Sequence, residues 1–438
     1  MRTSPTTAWL YLASAGLSMF GNSVAGIVWP WLVLERTGNP QAAAIVAAAI
    51  AIPSLIFAYY GGNLIDSLGR KPMSVASDII SGSSVVGVII VDHLTGLNLT
   101  WFIILGIVGA LGDIPGMSAR AALIGDVAKA SGRTIAQLSG INQAIMGISF
   151  LAGPALAGFL LAALDITQVL WITAGCSLAA AALTAMLRLH SHSSEGSEGT
   201  RSGGSLSDGT APADAALDSA ATAGSSPVAA PVGAPGVDSP SLDGFAGWKK
   251  ALSFPVMRLL ALDSLLAMML VVPYLSVLMP AHFQQAGAPH LLGMAMSGYA
   301  VGMMIAGIAA TRLVNHERLT WIVGMTFYIL GFGFMGWLEN SIAVIAGMVV
   351  AGLGGGVLNP LQTVLITETV PEEIRGRAFS IFMAISQVAG PIGLAATSLF
   401  LGFSSIYQIA VALAVLWFFA AVFLIIWGLR VLPAKSAA

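Results

Sequence analysis

The chain has 438 residues, of which 57% are apolar and only 9% charged, and its formal net charge is -2. Such a composition lies outside the range of water-soluble globular domains, and the near-neutral balance offers no basic footprint for nucleic acid. A single cysteine, Cys176, allows neither a disulfide framework nor a thiolate metal site.

A helix that crosses a bilayer needs about 20 mostly apolar residues. Six such stretches occur near residues 8–34, 41–60, 73–92, 100–123, 135–163 and 167–188. The first is too long for the apolar core of a cleaved signal peptide and is expected to be retained. It carries Asn22, Trp29 and Trp31. Between the second and third stands GGNLIDSLGRKP, residues 61–72, which places Asp66, Arg70 and Lys71 in one short gap. Gly62 allows close backbone approach and Gly69 a tight reversal. Asp66 and Arg70 are four apart and can pair if that turn stays helical.

The third stretch holds Asp78, which reads as a shallow structural group. Asp113, in ALGDIPGMSAR, lies about halfway along the fourth. A carboxylate at the centre of an apolar helix costs roughly 2.5–3.5 kcal/mol on insertion scales, so it is a functional candidate by default. Two assignments stay open for it: a proton-coupling site, or a structural partner of Arg120 two turns on. Asp126 stands at the end of the same helix. The fifth stretch opens with GRTIAQLSGINQAIMGISFLAGPALAG from Gly132 and contains Asn142, Gln143, Gly153, Pro154 and Gly158.

Residues 190–248 are rich in Ser, Gly, Ala and Pro. They cannot bury enough apolar surface to fold, and read as a flexible linker between two units, 1–189 and 249–438. Six more apolar stretches follow, near 256–280, 290–311, 319–338, 341–366, 378–402 and 405–429. Asp263 lies two turns into the first of these, with proton coupling or a contact to water or Arg258 as its alternatives. Asn359 and Gln362 fall in the tenth stretch. The eleventh opens with GRAFSIFMAISQVAGPIGLAATSLFLG from Gly376. Aligning the two Gly-Arg pairs places Gln143 on Gln387, the mark of a chain built from two related halves. Asn22, Trp29, Asn142, Gln143, Asn359, Gln362 and Gln387 are suited to orienting a substrate or to bracing helices. Met268, Met269, Met294, Met296, Met303 and Met304 supply an adaptable apolar wall or plain packing.

If the N-terminus is cytoplasmic, the cytoplasmic ends and loops hold every Lys and Arg, Arg120 included, except Arg36. That asymmetry predicts a plasma (inner) membrane protein with both termini inside.

The 61–72 stretch resembles the G-x-L-x-D-x-x-G-R-[KR] loop signature of the major facilitator superfamily. GISFLAGPALAG resembles the glycine-rich motif of that family's antiporters. GNSVAGIVWPWLVLERTGNP resembles the opening helix of the drug/proton antiporter group, which includes macrolide and siderophore exporters. The resemblance implies an all-α protein of twelve transmembrane helices in two pseudo-symmetric six-helix halves. It further implies a monomer that works by alternating access, with no cofactor beyond a proton gradient. Its substrate would be a small amphiphilic molecule moving outward; export of a lipid or siderophore is the alternative, and nutrient import the third. By the same resemblance Asp66 would latch against the N-terminal dipole of helix 11 near Gly376. Arg70 would engage Asp126, and Gly62, Gly69 and Lys71 would complete this cytoplasmic gate. Gly153, Pro154 and Gly158 would bend helix 5 and let a partner approach. No G-x-S-x-G, H-E-x-x-H or phosphate-loop pattern occurs, so neither an enzyme nor an ATP-driven pump is expected.

Overall fold

The computed structural model describes residues 5–187, 189, 249–313 and 316–432, so the expected linker at 190–248 lies outside the described residues. Side-chain surroundings are described for all of these except residues 5, 58–64, 66, 309–313 and 373. Every regular element among them is helical, and twelve helices are long and apolar enough to cross a membrane. They are α1 (Pro5–Thr37), α2 (Pro40–Leu68), α3 (Arg70–Leu94), α4 (Leu99–Ser131), α5 (Ile135–Ala163), α6 (Ile166–Ala185), α7 (Pro255–Gln285), α8 (Pro289–Leu313), α9 (Glu317–Gly336), α10 (Ser341–Thr369), α11 (Glu372–Phe400) and α12 (Ile406–Val431). Lipid offers no partner for a free backbone group, so each crossing closes its own hydrogen bonds as a helix.

Short polar signals set the ends. Asn39, Asn98 and Asn340 cap α2, α4 and α10 with their side chains, while Thr134 with Gln137 and Ser405 with Gln408 form capping boxes on α5 and α12. Gly69, at φ 88°, separates α2 from α3, and Gly132, at φ 72°, ends α4. The apolar windows recover all twelve helices but stop short of most of their ends. The helices run furthest past the windows at the ends of α2 and α4, which reach Leu68 and Ser131, and α11 starts at Glu372 rather than near Gly376. Pro371 and two glutamates suit a helix start, and the backbone then runs through Arg375 and Arg377, which a hydropathy window excludes.

The packing repeats itself across the two groups of six. In the first, α3 packs on α4 and α6, α2 on α4, and α1 on α5 and α6; in the second, α9 packs on α10 and α12, α8 on α10, and α7 on α11 and α12. The fold is thus two pseudo-symmetric six-helix halves. They meet chiefly through α5 on α8 and α2 on α11, with a smaller contact of α1 on α7. Interior prolines follow the same division, at Pro30, Pro53, Pro115, Pro154, Pro273, Pro280, Pro360 and Pro391. Beyond the first turn none falls within α3, α6, α9 or α12, the helices whose main contacts lie inside their own half. Bends are therefore concentrated in the helices that face or join the two halves.

Among the described residues, the direct hydrogen bonds between the halves lie at the membrane side away from the chain termini. Ser297 of α8 donates to the Leu151 carbonyl of α5 at 2.6 Å, and Gln41 of α2 donates to the Ser398 carbonyl of α11 at 3.2 Å. Gly158 and Gly293 bring the α5 and α8 backbones together, since a methyl built on Gly158 would stand 3.1 Å from the Gly293 Cα.

Candidate functional site

In the first half a polar network crosses the buried space among α1, α3, α4 and α6. Arg120 of α4 donates through Nη2 to Asp78 of α3 at 2.5 Å and through Nη1 to Ser14 of α1 at 2.7 Å. Ser18 of α1 donates to the other Asp78 oxygen at 3.0 Å, Ser14 shares a 2.6 Å bond with Thr184 of α6, and the Tyr11 hydroxyl donates to the Arg120 carbonyl at 3.0 Å. Asp78 is 4% exposed and Arg120 6%. Arg120 is therefore not the expected basic residue at a membrane edge, and Asp78 is its buried partner.

Asp113 sits one register further into the membrane on α4 and is partly exposed. Ser81 and Asp78 of α3 are the polar groups that act on it. The contact is tight because Ser77 donates to the Gly112 carbonyl at 2.5 Å, and a methyl on Gly112 would stand 2.8 Å from the Ser77 carbonyl oxygen. The expected Asp113–Arg120 pair is not formed. Seven residues of helix rise about 10 Å, too far for the two side chains to meet, while α3 presents Asp78 directly across from Arg120. Asp78 thus takes the one guanidinium, and among the described residues Asp113 has no ion pair.

In the second half Asp263 of α7 is 3% exposed and accepts a 2.9 Å hydrogen bond from Gln362 of α10. It too has no ion pair among the described residues, and Arg258 is exposed on the same helix. Asn359 lies one turn before Gln362 and points its amide toward the Met303 sulfur at 4.0 Å. Ser264 and Ser386 join α7 to α11 by a short hydrogen bond.

At the α2–α3 turn, Arg70 donates to Asp126 at 3.2 Å and Lys71 donates to the Leu187 carbonyl at 2.8 Å. The positive φ of Gly69 ends the helix between Asp66 and Arg70, so the i, i+4 geometry that would pair them is lost. The Asp66 side chain lies outside the described set. The expected docking point for Asp66 also moves, because α11 begins with Glu372 and Glu373 in its first turn and Gly376 lies inside the helix.

A sequence model of the Major Facilitator Superfamily matches residues 11–289 and 264–437. The chain belongs to the major facilitator superfamily. Over 390 residues it is 26% identical to the multidrug efflux pump Tap of Mycolicibacterium fortuitum, covering 88% of this chain and 87% of that one. It is 19% identical over 401 residues to macrolide efflux protein A of Streptococcus pyogenes, covering 90% and 88%. Among solved structures, the nucleoside transporter NupG superposes with a TM-score of 0.68 at 14% identity, covering 95% of this chain and 98% of that one. A bacterial homologue of the iron transporter ferroportin in an inward-facing state gives 0.67 at 15% identity, covering 97% and 99%. At such identities these superpositions speak for the fold alone.

Within this superfamily fold the remaining motif residues divide by role. Gly153 packs against Ser23 of α1, whose hydroxyl donates to the Ser149 carbonyl at 3.1 Å, while Gly158, four residues beyond Pro154, meets α8. One small-residue motif therefore serves two interfaces of α5. Asn22, Gln143 and Gln387 are partly exposed. The Trp29 Nε1 and the Asn142 Oδ1 are buried with no hydrogen-bond partner among the described residues. Among the methionines, Met294 and Met304 are exposed large side chains and Met296 packs against the core. Sequence reasoning passed over the Asp78–Arg120 pair and the tyrosines Tyr299 and Tyr328. The signal for the pair was present: an arginine inside an apolar run, eleven residues before the helix end, needs a buried counter-charge.

Proposed function

We propose that this chain is a proton-driven exporter of small amphiphilic compounds that works as a monomer by alternating access in the plasma membrane. The observation that carries the reading is the unequal balance in the first half, two carboxylates near one guanidinium that pairs with only one of them. Asp78 is balanced by Arg120, so Asp113 carries the uncompensated charge of the cluster, which a proton can cancel. The cluster joins α1, α3, α4 and α6, so a change in its charge bears on how α1 and α4 stand against the rest of the half. Outward drug movement is supported by the names of relatives matched along most of this chain, a multidrug and a macrolide efflux protein.

Orientation follows from charge, with the chain termini and the Arg70–Asp126 turn placed in the cytoplasm. The ties at Gly158–Gly293, Ser297 and Gln41 then close the outer side, as befits a state that loads substrate from the cytoplasm. In a background with Cys176→Ser, an impermeant maleimide should label Thr95→Cys in intact cells and leave Ser253→Cys unlabelled. The reverse pattern overturns the orientation.

Purified protein in proteoliposomes should concentrate a lipophilic dye or a macrolide when a pH gradient is imposed. Accumulation should collapse on adding a protonophore. Accumulation that follows a sodium gradient and ignores the pH gradient would refute the coupling.

A further inference from the structure

The two halves carry the same polar link with the charges exchanged. Arg120 and Gln362 each stand twenty-two residues after the asparagine that caps their helix, Asn98 for α4 and Asn340 for α10. Each reaches the first helix of its own half at a matching depth: Arg120 donates to Ser14 on α1, and Gln362 to Asp263 on α7. In the first half the donor is a cation and the acceptor a neutral hydroxyl, and the cation is balanced from α3 by Asp78. In the second half the donor is a neutral amide and the acceptor a carboxylate. No described residue supplies the balancing cation.

An aromatic group, not a cation, acts on Asp263 from the equivalent helix. Tyr328 of α9, the helix equivalent to α3, lies within the electrostatic reach of Asp263, and its hydroxyl is bonded to that of Tyr299 on α8. Both hydroxyls converge on Gly355 of α10, where an added methyl would stand 2.7 Å from the Tyr299 oxygen and 3.1 Å from the Tyr328 oxygen. Gly355, Asn359 and Gln362 are spaced i, i+4, i+7 and share one face of α10. Tyr299, Tyr328, Asn359 and Gln362 are all partly exposed, so Asp263 lies one side chain beneath an accessible surface. Neither α4 nor α10 makes an extensive contact with the opposite half, so α10 is placed along the space between the halves.

We propose that Asp263, screened by Gln362 and flanked by Tyr299 and Tyr328, is the receptor for a cationic group on the transported compound. The missing arginine of the second half is supplied by the substrate. A desolvated carboxylate attracts a substituted ammonium through charge, and tyrosine faces add a cation–π attraction that needs no donated proton. The Gln362 amide satisfies the carboxylate when no substrate is bound, and its displacement opens the site. A cationic amphiphile is thereby preferred over a neutral one of the same size. This assignment rests on the exporter reading, and it separates the recognition of cations in the second half from the handling of protons in the first.

The test compares equilibrium binding and proteoliposome transport of a lipophilic quaternary ammonium dye and a neutral analogue of similar size. Asp263→Asn should weaken binding of the quaternary dye at least tenfold and shift the neutral analogue less than twofold. Gln362→Arg places the guanidinium of the first half into the second. It should give the same selective loss while keeping or raising thermal stability, which guards against a fold defect in the asparagine variant. Equal weakening of both dyes in Asp263→Asn, or undiminished binding of the quaternary dye in both variants, overturns the proposal. Selective loss of binding in a protein whose wild type moves neither dye would uphold the cation site and refute the exporter reading.

Discussion

Asp113→Asn should leave the protein inserted and able to bind substrate while abolishing accumulation against a gradient. The substitution keeps the shape of the side chain and removes its charge permanently. With Asp78 and Arg120 cancelling each other, the cluster on α3 and α4 would then be neutral in every conformation, as the wild type is only when protonated. Substrate could still cross and equilibrate, because nothing in the α5–α8 or α2–α11 contacts depends on Asp113. The pH gradient would have no group to act on. In proteoliposomes the wild type should concentrate a dye severalfold under an imposed pH gradient, and the variant should stop at equal concentrations on both sides. Ser81, which acts on Asp113 from α3, offers a second handle. Ser81→Ala should weaken coupling without ending it, because the carboxylate remains. If Asp113→Asn still accumulates dye against its gradient, the coupling site lies elsewhere, and Asp78 is the next carboxylate to change.

The range of each interaction decides how much of the fold and of the site is legible in the sequence. Span positions depend on about 20 consecutive residues, so the twelve crossings are legible. The Gly69 reversal is equally local, a glycine between two helices that only a positive φ can join. The partner of Arg120 is not legible, because it depends on the register of α3 against α4. That register is set by Ser77 fitting over Gly112 and Gly116, and no spacing within either helix reveals it. Hydropathy starts the eleventh helix six residues late for a related reason, since it reports solvation and not backbone hydrogen bonding. The exchange of charge between Arg120 and Gln362 requires both halves together. The Gly-Arg repeat announces the duplication, but only the bonds to Ser14 and Asp263 show that the two positions do the same geometric task.

Arg120→Ala should be the most destabilising single change in the first half. Removing one partner of a buried ion pair costs about 3–5 kcal/mol, because the remaining charge stays buried without compensation. Here the remaining group is Asp78, 4% exposed, and Ser18 would be its only bonded donor left in the network. Ser14 would lose its charged donor and retain Thr184. The loss should appear as a clear drop in the thermal midpoint in detergent, and Asp78→Asn should show a comparable drop from the stranded guanidinium. The double variant Asp78→Asn/Arg120→Gln replaces both charges by amides that can bond to each other and to Ser14 and Ser18. It should therefore recover most of the stability, giving a coupling energy of about 2 kcal/mol or more in the double-mutant cycle. A cost under about 1 kcal/mol for Arg120→Ala, within the range of exposed pairs, would mean that water reaches Asp78 and that the network is open. The double variant then divides structure from coupling. If the pair only holds α1, α3 and α4 together, restored stability brings restored accumulation. If its charges hold Asp113 in a state that one proton can switch, the double variant folds and binds, yet Asp113 is left beside neutral amides and accumulation driven by the pH gradient stays well below that of the wild type.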